Sequence, residues 1–211
     1  MGWWANAGDK AECTICPKGY YGLGKNSTDW IARYKCNACP AGMFSDGKVG
    51  ATHLNDTCMT CSPGEYVNRF PPMNIYTPGG HKICSRCKPG KWHSGVPPAT
   101  SSVDCINCDP GFYADEEGRA IYCRGCPSGY HQSLSGSLLC EECAAGRVQR
   151  SRSGTSCKAC VPGQFSEIKV QLICKKCKAG QYQHLSGSKY CIACEPGKFQ
   201  RDQSSSMCLP W

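Results

Sequence analysis

The sequence predicts a small disulfide-rich fold: an elongated tandem array of short β-hairpins cross-linked by a disulfide ladder, with little or no helix. Three observations carry this. Of the 21 cysteines, twenty form ten Cys-x-x-Cys pairs between Cys13 and Cys194, and Cys126, Cys143, Cys160, Cys177 and Cys194 recur every 17 residues. A period this short with the same punctuation in each copy means one small unit repeated. Leu, Ile, Val and Phe make up only 29 of 211 residues, too few for an apolar core to hold the chain, while the cysteine content is that of a disulfide scaffold.

Each unit reads the same way along the chain. A tight turn follows nearly every pair, as in Pro63-Gly64-Glu65-Tyr66, Pro89-Gly90-Lys91-Trp92, Pro110-Gly111-Phe112-Tyr113 and Pro196-Gly197-Lys198-Phe199. Proline presets φ, glycine accepts positive φ, and an extended stretch with one aromatic follows. That aromatic is expected to cover the neighbouring disulfide; Arg147-Val148 is the weakest copy. Ser135-Gly136-Ser137, Ser153-Gly154-Thr155 and Ser186-Gly187-Ser188 then mark hairpin tips, and Leu138, Leu139 and Tyr190 read as strand running into the next cysteine. A lone hairpin is unstable in water, so cross-links must pin it.

The organisation read from spacing is an N-terminal tail over residues 1–12, repeats with long variable loops over 13–125, and regular 17-residue repeats over 126–211. In the middle segment the intervals between pairs are 19, 18, 22, 17 and 14 residues, against 13 beyond Cys126. The extra length includes Pro71-Pro72-Met73, Tyr76-Thr77-Pro78-Gly79-Gly80 and Val96-Pro97-Pro98. Such loops are either spacers or recognition surfaces on a rigid ladder. At the end, Cys208-Leu209-Pro210-Trp211 begins a Cys-x-x-Cys pair and places Trp where the second cysteine belongs, so the array is expected to belong to a longer protein.

Cysteine usage at this density predicts an extracellular or cell-surface protein of the secretory pathway. The sequons at Asn26 (Asn26-Ser27-Thr28) and Asn55 (Asn55-Asp56-Thr57) agree. No 7–15-residue apolar stretch makes the N-terminus a signal peptide, and no run reaches the length of a transmembrane segment. The formal charge of +8 concentrates late, with 11 basic and 5 acidic residues from Pro127 onward and a cluster at Lys175, Lys176 and Lys178. Contact with acidic glycans is one reading and a solvated face the simpler one. No nucleic-acid motif accompanies the charge.

The unit Cys-x-x-Cys-x-Pro-Gly-x-aromatic, then Ser/Gly-rich residues, then Cys-x-x-Cys, resembles the ephrin-receptor-type cysteine-rich repeat, related to tumour-necrosis-factor-receptor-like (TNFR-like), growth-factor-receptor-like and EGF-like modules. The likeness runs from Cys13 to Cys208 and is clearest from Cys108. It implies an extracellular disulfide-laddered stalk or ectodomain, and no particular ligand. Two pairings stay open. If every unit is equivalent, the second cysteine of each pair bonds the first of the next, as Cys126–Cys140, Cys143–Cys157, Cys160–Cys174 and Cys194–Cys208, and the same rule over Cys16, Cys36, Cys39, Cys58, Cys61, Cys84, Cys87, Cys105, Cys108, Cys123, Cys177 and Cys191 strands Cys13. If pairs cross-link in blocks, as in the related modules, Cys126 belongs with Cys105, Cys108 and Cys123, and Cys208 is stranded.

Zinc is the rival chemistry, since repeated Cys-x-x-Cys is what tetrahedral thiolate sites use. The sequons and the equivalence of successive units argue against it, and thioredoxin-like redox work would need a βαβ pattern beside one pair. The histidines His53, His81, His93, His131 and His184 read as solvated loop residues, and Asp115-Glu116-Glu117-Gly118 as an acidic hairpin turn without the alternating oxygen ligands of a calcium loop. No catalytic residue, metal or cofactor is expected. The chain is expected to be a non-enzymatic structural rod or stalk that self-associates, or binds other extracellular proteins, in a surface fibre. The alternative is a receptor or adhesin ectodomain binding a protein or glycan through its loops between Cys16 and Cys105.

Overall fold

A computed structural model of the chain describes residues 3–5, 13–16, 20–22, 36–45, 54–69, 82–118 and 122–211. It is a succession of two-stranded antiparallel hairpins. β1 (Trp3–Ala5) pairs with β2 (Cys13–Ile15), β3 (Tyr20–Gly22) with β4 (Cys36–Ala38), β5 (Met43–Ser45) with β6 (Cys58–Thr60), β7 (Glu65–Arg69) with β8 (Lys82–Arg86), and β9 (Lys91–Trp92) with β10 (Ile106–Asn107). The strands then shrink to two residues: β11 (Phe112–Tyr113) with β12 (Arg124–Gly125), β13 (Tyr130–His131) with β14 (Glu141–Glu142), and β15 (Arg147–Val148) with β16 (Lys158–Ala159). β17 (Gln164–Phe165) with β18 (Lys175–Lys176), β19 (Gln181–Tyr182) with β20 (Ile192–Ala193), and β21 (Lys198–Phe199) with β22 (Leu209–Pro210) complete the series. Among the described residues helix is confined to the short 3-10 turns Leu54–Asp56 and Ser102–Asp104, and no helix is long and apolar enough to cross a membrane.

Ten disulfides join each pair to the next, from Cys16–Cys36 and Cys39–Cys58 through Cys126–Cys140 to Cys194–Cys208. This is the equivalent-unit pairing. It uses every cysteine except Cys13, and it is not the block pairing. The core is correspondingly unusual. Of the sixteen buried apolar residues among those described, all but Val67, Ala99 and Ala114 are cysteines. Dense sulfur bridges take the place that interdigitated aliphatics hold in larger domains.

The geometry explains the Cys-x-x-Cys spacing. From β10 on, the two residues between the cysteines are the return strand itself, as Glu141–Glu142 pairs with Tyr130–His131 through Tyr130↔Glu142 and His131↔Glu141. The cysteine that opens each hairpin and the one that precedes its return strand are then neighbours, 5.7 Å apart at Cα for Cys126 and Cys140. The second cysteine of the pair closes the hairpin by donating its N–H to the turn glycine, as Cys143 does to Gly129 O at 2.9 Å. Leu138, Leu139 and Tyr190, expected in strands, lie instead in the loop before the cysteine. There the carbonyls are taken by side chains of the same hairpin instead, Leu139 O by Gln132 Nε2 (2.8 Å) and Tyr190 O by Gln183 Nε2 (2.9 Å).

The chain forms two compact units, Met1–Ile106 with Glu117–Tyr122, and Asn107–Glu116 with Cys123–Trp211. Trp3–Ala5, inside the segment read as a tail, forms β1. In the first unit Gly64 N–H donates to His93 O (2.8 Å), Val67 N–H to Ala99 O (3.0 Å) and Gly118 N–H to Cys87 O (2.9 Å).

Candidate functional site

The most developed feature of the second unit is the seam between successive hairpins, and three backbone hydrogen bonds build each step. The turn glycine of one hairpin donates to the next: Gly129 to Gln149 O, Gly163 to Gln183 O and Gly180 to Gln200 O, each at 2.7 Å. Three residues later a second N–H reaches the next hairpin's loop, as Gln132 to Gly154 O (3.0 Å) and Gln183 to Ser205 O (3.1 Å). The loop returns a third bond to the preceding hairpin's opening cysteine, as Val170 to Cys143 O and Ser204 to Cys177 O, both 3.0 Å.

That third donor sits in the left-handed region. Where glycine supplies it, as Gly136 and Gly187, the conformation is free, but Ser153, Val170 and Ser204 hold φ of 55°, 62° and 62°. For a β-branched residue this is costly, and the seam enforces it. The same loop residues abut the turn glycine two hairpins back. A Cβ on Gly129 would lie 2.6 Å from Val170 Cγ1, and one on Gly163 would collide with the Ser204 carbonyl. Contacts therefore span three hairpins.

A glutamine, buried at Gln132 and Gln183, clamps four of the five loops from within, a feature the sequence reading missed. Gln183 Nε2 donates to Tyr190 O (2.9 Å) while Leu185 N–H donates to Gln183 Oε1 (3.0 Å). Gln132, Gln149 and Gln200 do the same in their own loops. The visible signal is position: glutamine stands six residues after Cys126, Cys143, Cys177 and Cys194. Ser166 holds that place after Cys160 and bonds Gln171 Oε1 instead (2.7 Å). In the first unit His93 holds it after Cys87. It is buried, not solvated, and its Nδ1 accepts the Gly95 N–H at 2.9 Å.

The other predicted sites are dispersed. His131, also not simply solvated, brings Nδ1 to 3.2 Å from Cys157 Sγ and Nε2 to 3.8 Å from Glu141 Oε2. His131, Cys143 and Cys157 thus gather three ligand-type atoms. Both sulfurs are spent in the Cys143–Cys157 bond, so thiolate ligation does not follow. His184 is exposed and stacks on Tyr182 at 6.0 Å, whereas His53 and His81 lie outside the described residues. Lys175, Lys176 and Lys178 are all exposed, and Lys175 pairs with Glu167 at 3.4 Å. Asp115 pairs with Arg124 at 3.3 Å.

Asn55 is exposed in its 3-10 turn, while the Thr57 of its sequon is fully buried with Oγ1 3.0 Å from Ser45 Oγ. Asn26, and the loops over residues 23–35, 46–53 and 70–81 that include the proline-rich insertions, lie outside the described residues. Pro98, in the remaining insertion, lies where a Cβ on Gly42 would approach it to 2.9 Å. Trp211 takes the place of the missing cysteine. Its N–H donates to Gly197 O (3.1 Å), and its ring lies 5.1 Å from Phe199, over which Arg201 also sits at 5.3 Å. Against known proteins, the chain matches no family and no curated sequence.

Proposed function

We propose that the chain is a non-enzymatic structural element of the extracellular space or cell surface: a stiff, disulfide-laddered rod or stalk that assembles with further copies into a surface fibre. The observation that supports this reading is the repeating seam, in which backbone donors and acceptors of each hairpin are committed to its neighbours. Each hairpin is also closed by its own disulfide, with cysteines separated by 14 residues in the regular half. A loop of that size contributes about 3 kcal/mol in the chain-entropy picture. Opening one hairpin breaks contacts with its neighbours and with the hairpin two steps away, which is a route to stiffness without an aliphatic core. Disulfides at this density fit an oxidising compartment.

Small-angle scattering of the glycan-trimmed, unreduced chain tests the reading. Hairpins continued in line would span on the order of 100 Å, giving a radius of gyration near ~30 Å. A value near ~17 Å, that of a compact domain of this length, would refute the rod. Sedimentation at rising concentration tests assembly, and a strict monomer throughout would refute the fibre.

A further inference from the structure

In the second unit the aliphatic side chains are placed mostly outside. Five loops, over residues 133–139, 150–156, 167–173, 184–190 and 201–207, follow one another along one edge. The residue that leads into one loop donates its backbone N–H to the next loop, as Gln149 to Gln171 O (3.3 Å) and Ser166 to Ser188 O (3.1 Å). At matching positions these loops project Leu134 and Leu139, Ile168 and Ile173, and Leu185 and Tyr190, all between 58% and 68% exposed. The loops are clamped from inside by Gln132 and Gln183 and by the Ser166–Gln171 bond, so these side chains are held out on rigid mounts. The loops over 167–173 and 184–190 are adjacent, and apolar exposure on neighbouring mounts of this kind marks an interaction surface.

The charge on the same loops selects the partner. They carry Arg150, Arg152, Lys169, Lys189 and Arg201 against only Glu167 and Asp202. Arg150 and Arg152 stand in the one loop without a large apolar residue. They are exposed and form no ion pair among the described residues. A second copy laid edge to edge would bring these cations together, which opposes self-pairing. The apolar groups are knobs rather than the walls of a groove, so a folded partner would need a matching row of pockets, whereas a fluid layer needs none. Cations interleaved with projecting apolar groups suit phosphate headgroups, with the long side chains reaching the headgroup level.

We propose that this loop edge docks on an anionic lipid surface. The proposal stands independently of the rod reading. The test is flotation of the unreduced full chain with phosphatidylcholine vesicles containing phosphatidylserine, against phosphatidylcholine alone. Binding to the anionic vesicles is expected. It should weaken about 25-fold in R150Q/R152Q, since each cation near such a surface contributes roughly fivefold. It should weaken at least about tenfold in I168S/I173S. Disulfide mapping of each variant confirms the fold, and if the isoleucine pair fails to fold, the arginine pair carries the test. Absence of binding, binding unaffected by both pairs, or a vesicle-free dimer abolished by I168S/I173S would overturn the proposal; the last would assign the edge to a second copy.

Discussion

Replacing Gly163 by alanine should cost far more than replacing Gly180, although the two occupy equivalent turns with φ of 80° and 78°. An alanine in the left-handed region costs about 1–2 kcal/mol at either site. At Gly180 nothing lies within 4 Å of the added Cβ, so the cost ends there. At Gly163 the methyl would overlap the Ser204 carbonyl and come within 2.9 Å of its Cα, and backbone cannot yield as a side-chain end does. Relief requires lifting the Ser204 loop and straining its 3.0 Å bond to Cys177 O. Overpacking of this kind adds about 1–3 kcal/mol. The natural probes are the amides of Cys177 and Cys194, which donate to Gly163 O and Gly180 O at 2.9 Å each. A difference of about 2 kcal/mol is roughly a 30-fold greater loss of exchange protection at Cys177 in G163A than at Cys194 in G180A. Equal losses would show that contacts do not extend two hairpins along the array.

Three further outcomes follow from the same geometry. Val170→Gly should raise the melting temperature, by the equivalent of about 0.5–1 kcal/mol, because relief of the left-handed strain exceeds the lost side-chain contact; a fall would mean the valine side chain, not its N–H, holds the loop. Gln183→Ala leaves the Leu185 N–H and Tyr190 O without their clamp and should cost about 1–3 kcal/mol, seen as faster exchange at Leu185 while distant hairpins stay protected. Asp104 accepts the Thr100 N–H (2.7 Å), the Thr100 hydroxyl (3.0 Å) and the Ser101 N–H (3.1 Å), and the Thr100 bonds foremost hold its carboxyl below the usual range. Its stabilisation is therefore full above the ordinary carboxylate range and is lost as pH falls through the lower folded value. Protection of the Thr100 and Ser101 amides should drop on acidification in the native chain and be pH-independent in D104N.

The hairpin repeat was legible because cysteine spacing is a direct imprint of hairpin length, while the choice between two pairings was not; the Pro-Gly turns were legible because Gly64, Gly111, Gly163 and Gly197 all need positive φ. The loops were not. Their conformation is set by bonds to the next hairpin, which no local pattern announces. Ser153-Gly154-Thr155 reads as a glycine-tipped turn, yet Ser153 takes the left-handed position, because its N–H must reach Cys126 O, while Gly154 lies buried under Gln149. Val170 is the extreme case, a residue that local propensity would place in a strand. Leu139 and Tyr190 misled for the opposite reason: their character suggested strand, and they are exposed loop residues. The glutamine clamp left a positional trace, but it becomes meaningful only once loop closure is known.

The most direct test of the ladder is disulfide mapping of the unreduced chain after free thiols are alkylated under denaturing conditions. Ten consecutive links from Cys16–Cys36 to Cys194–Cys208, with Cys13 absent from all of them, are expected. A link from Cys126 back to Cys105, Cys108 or Cys123, or a chain recovered fully reduced with bound zinc, would contradict the hairpin array.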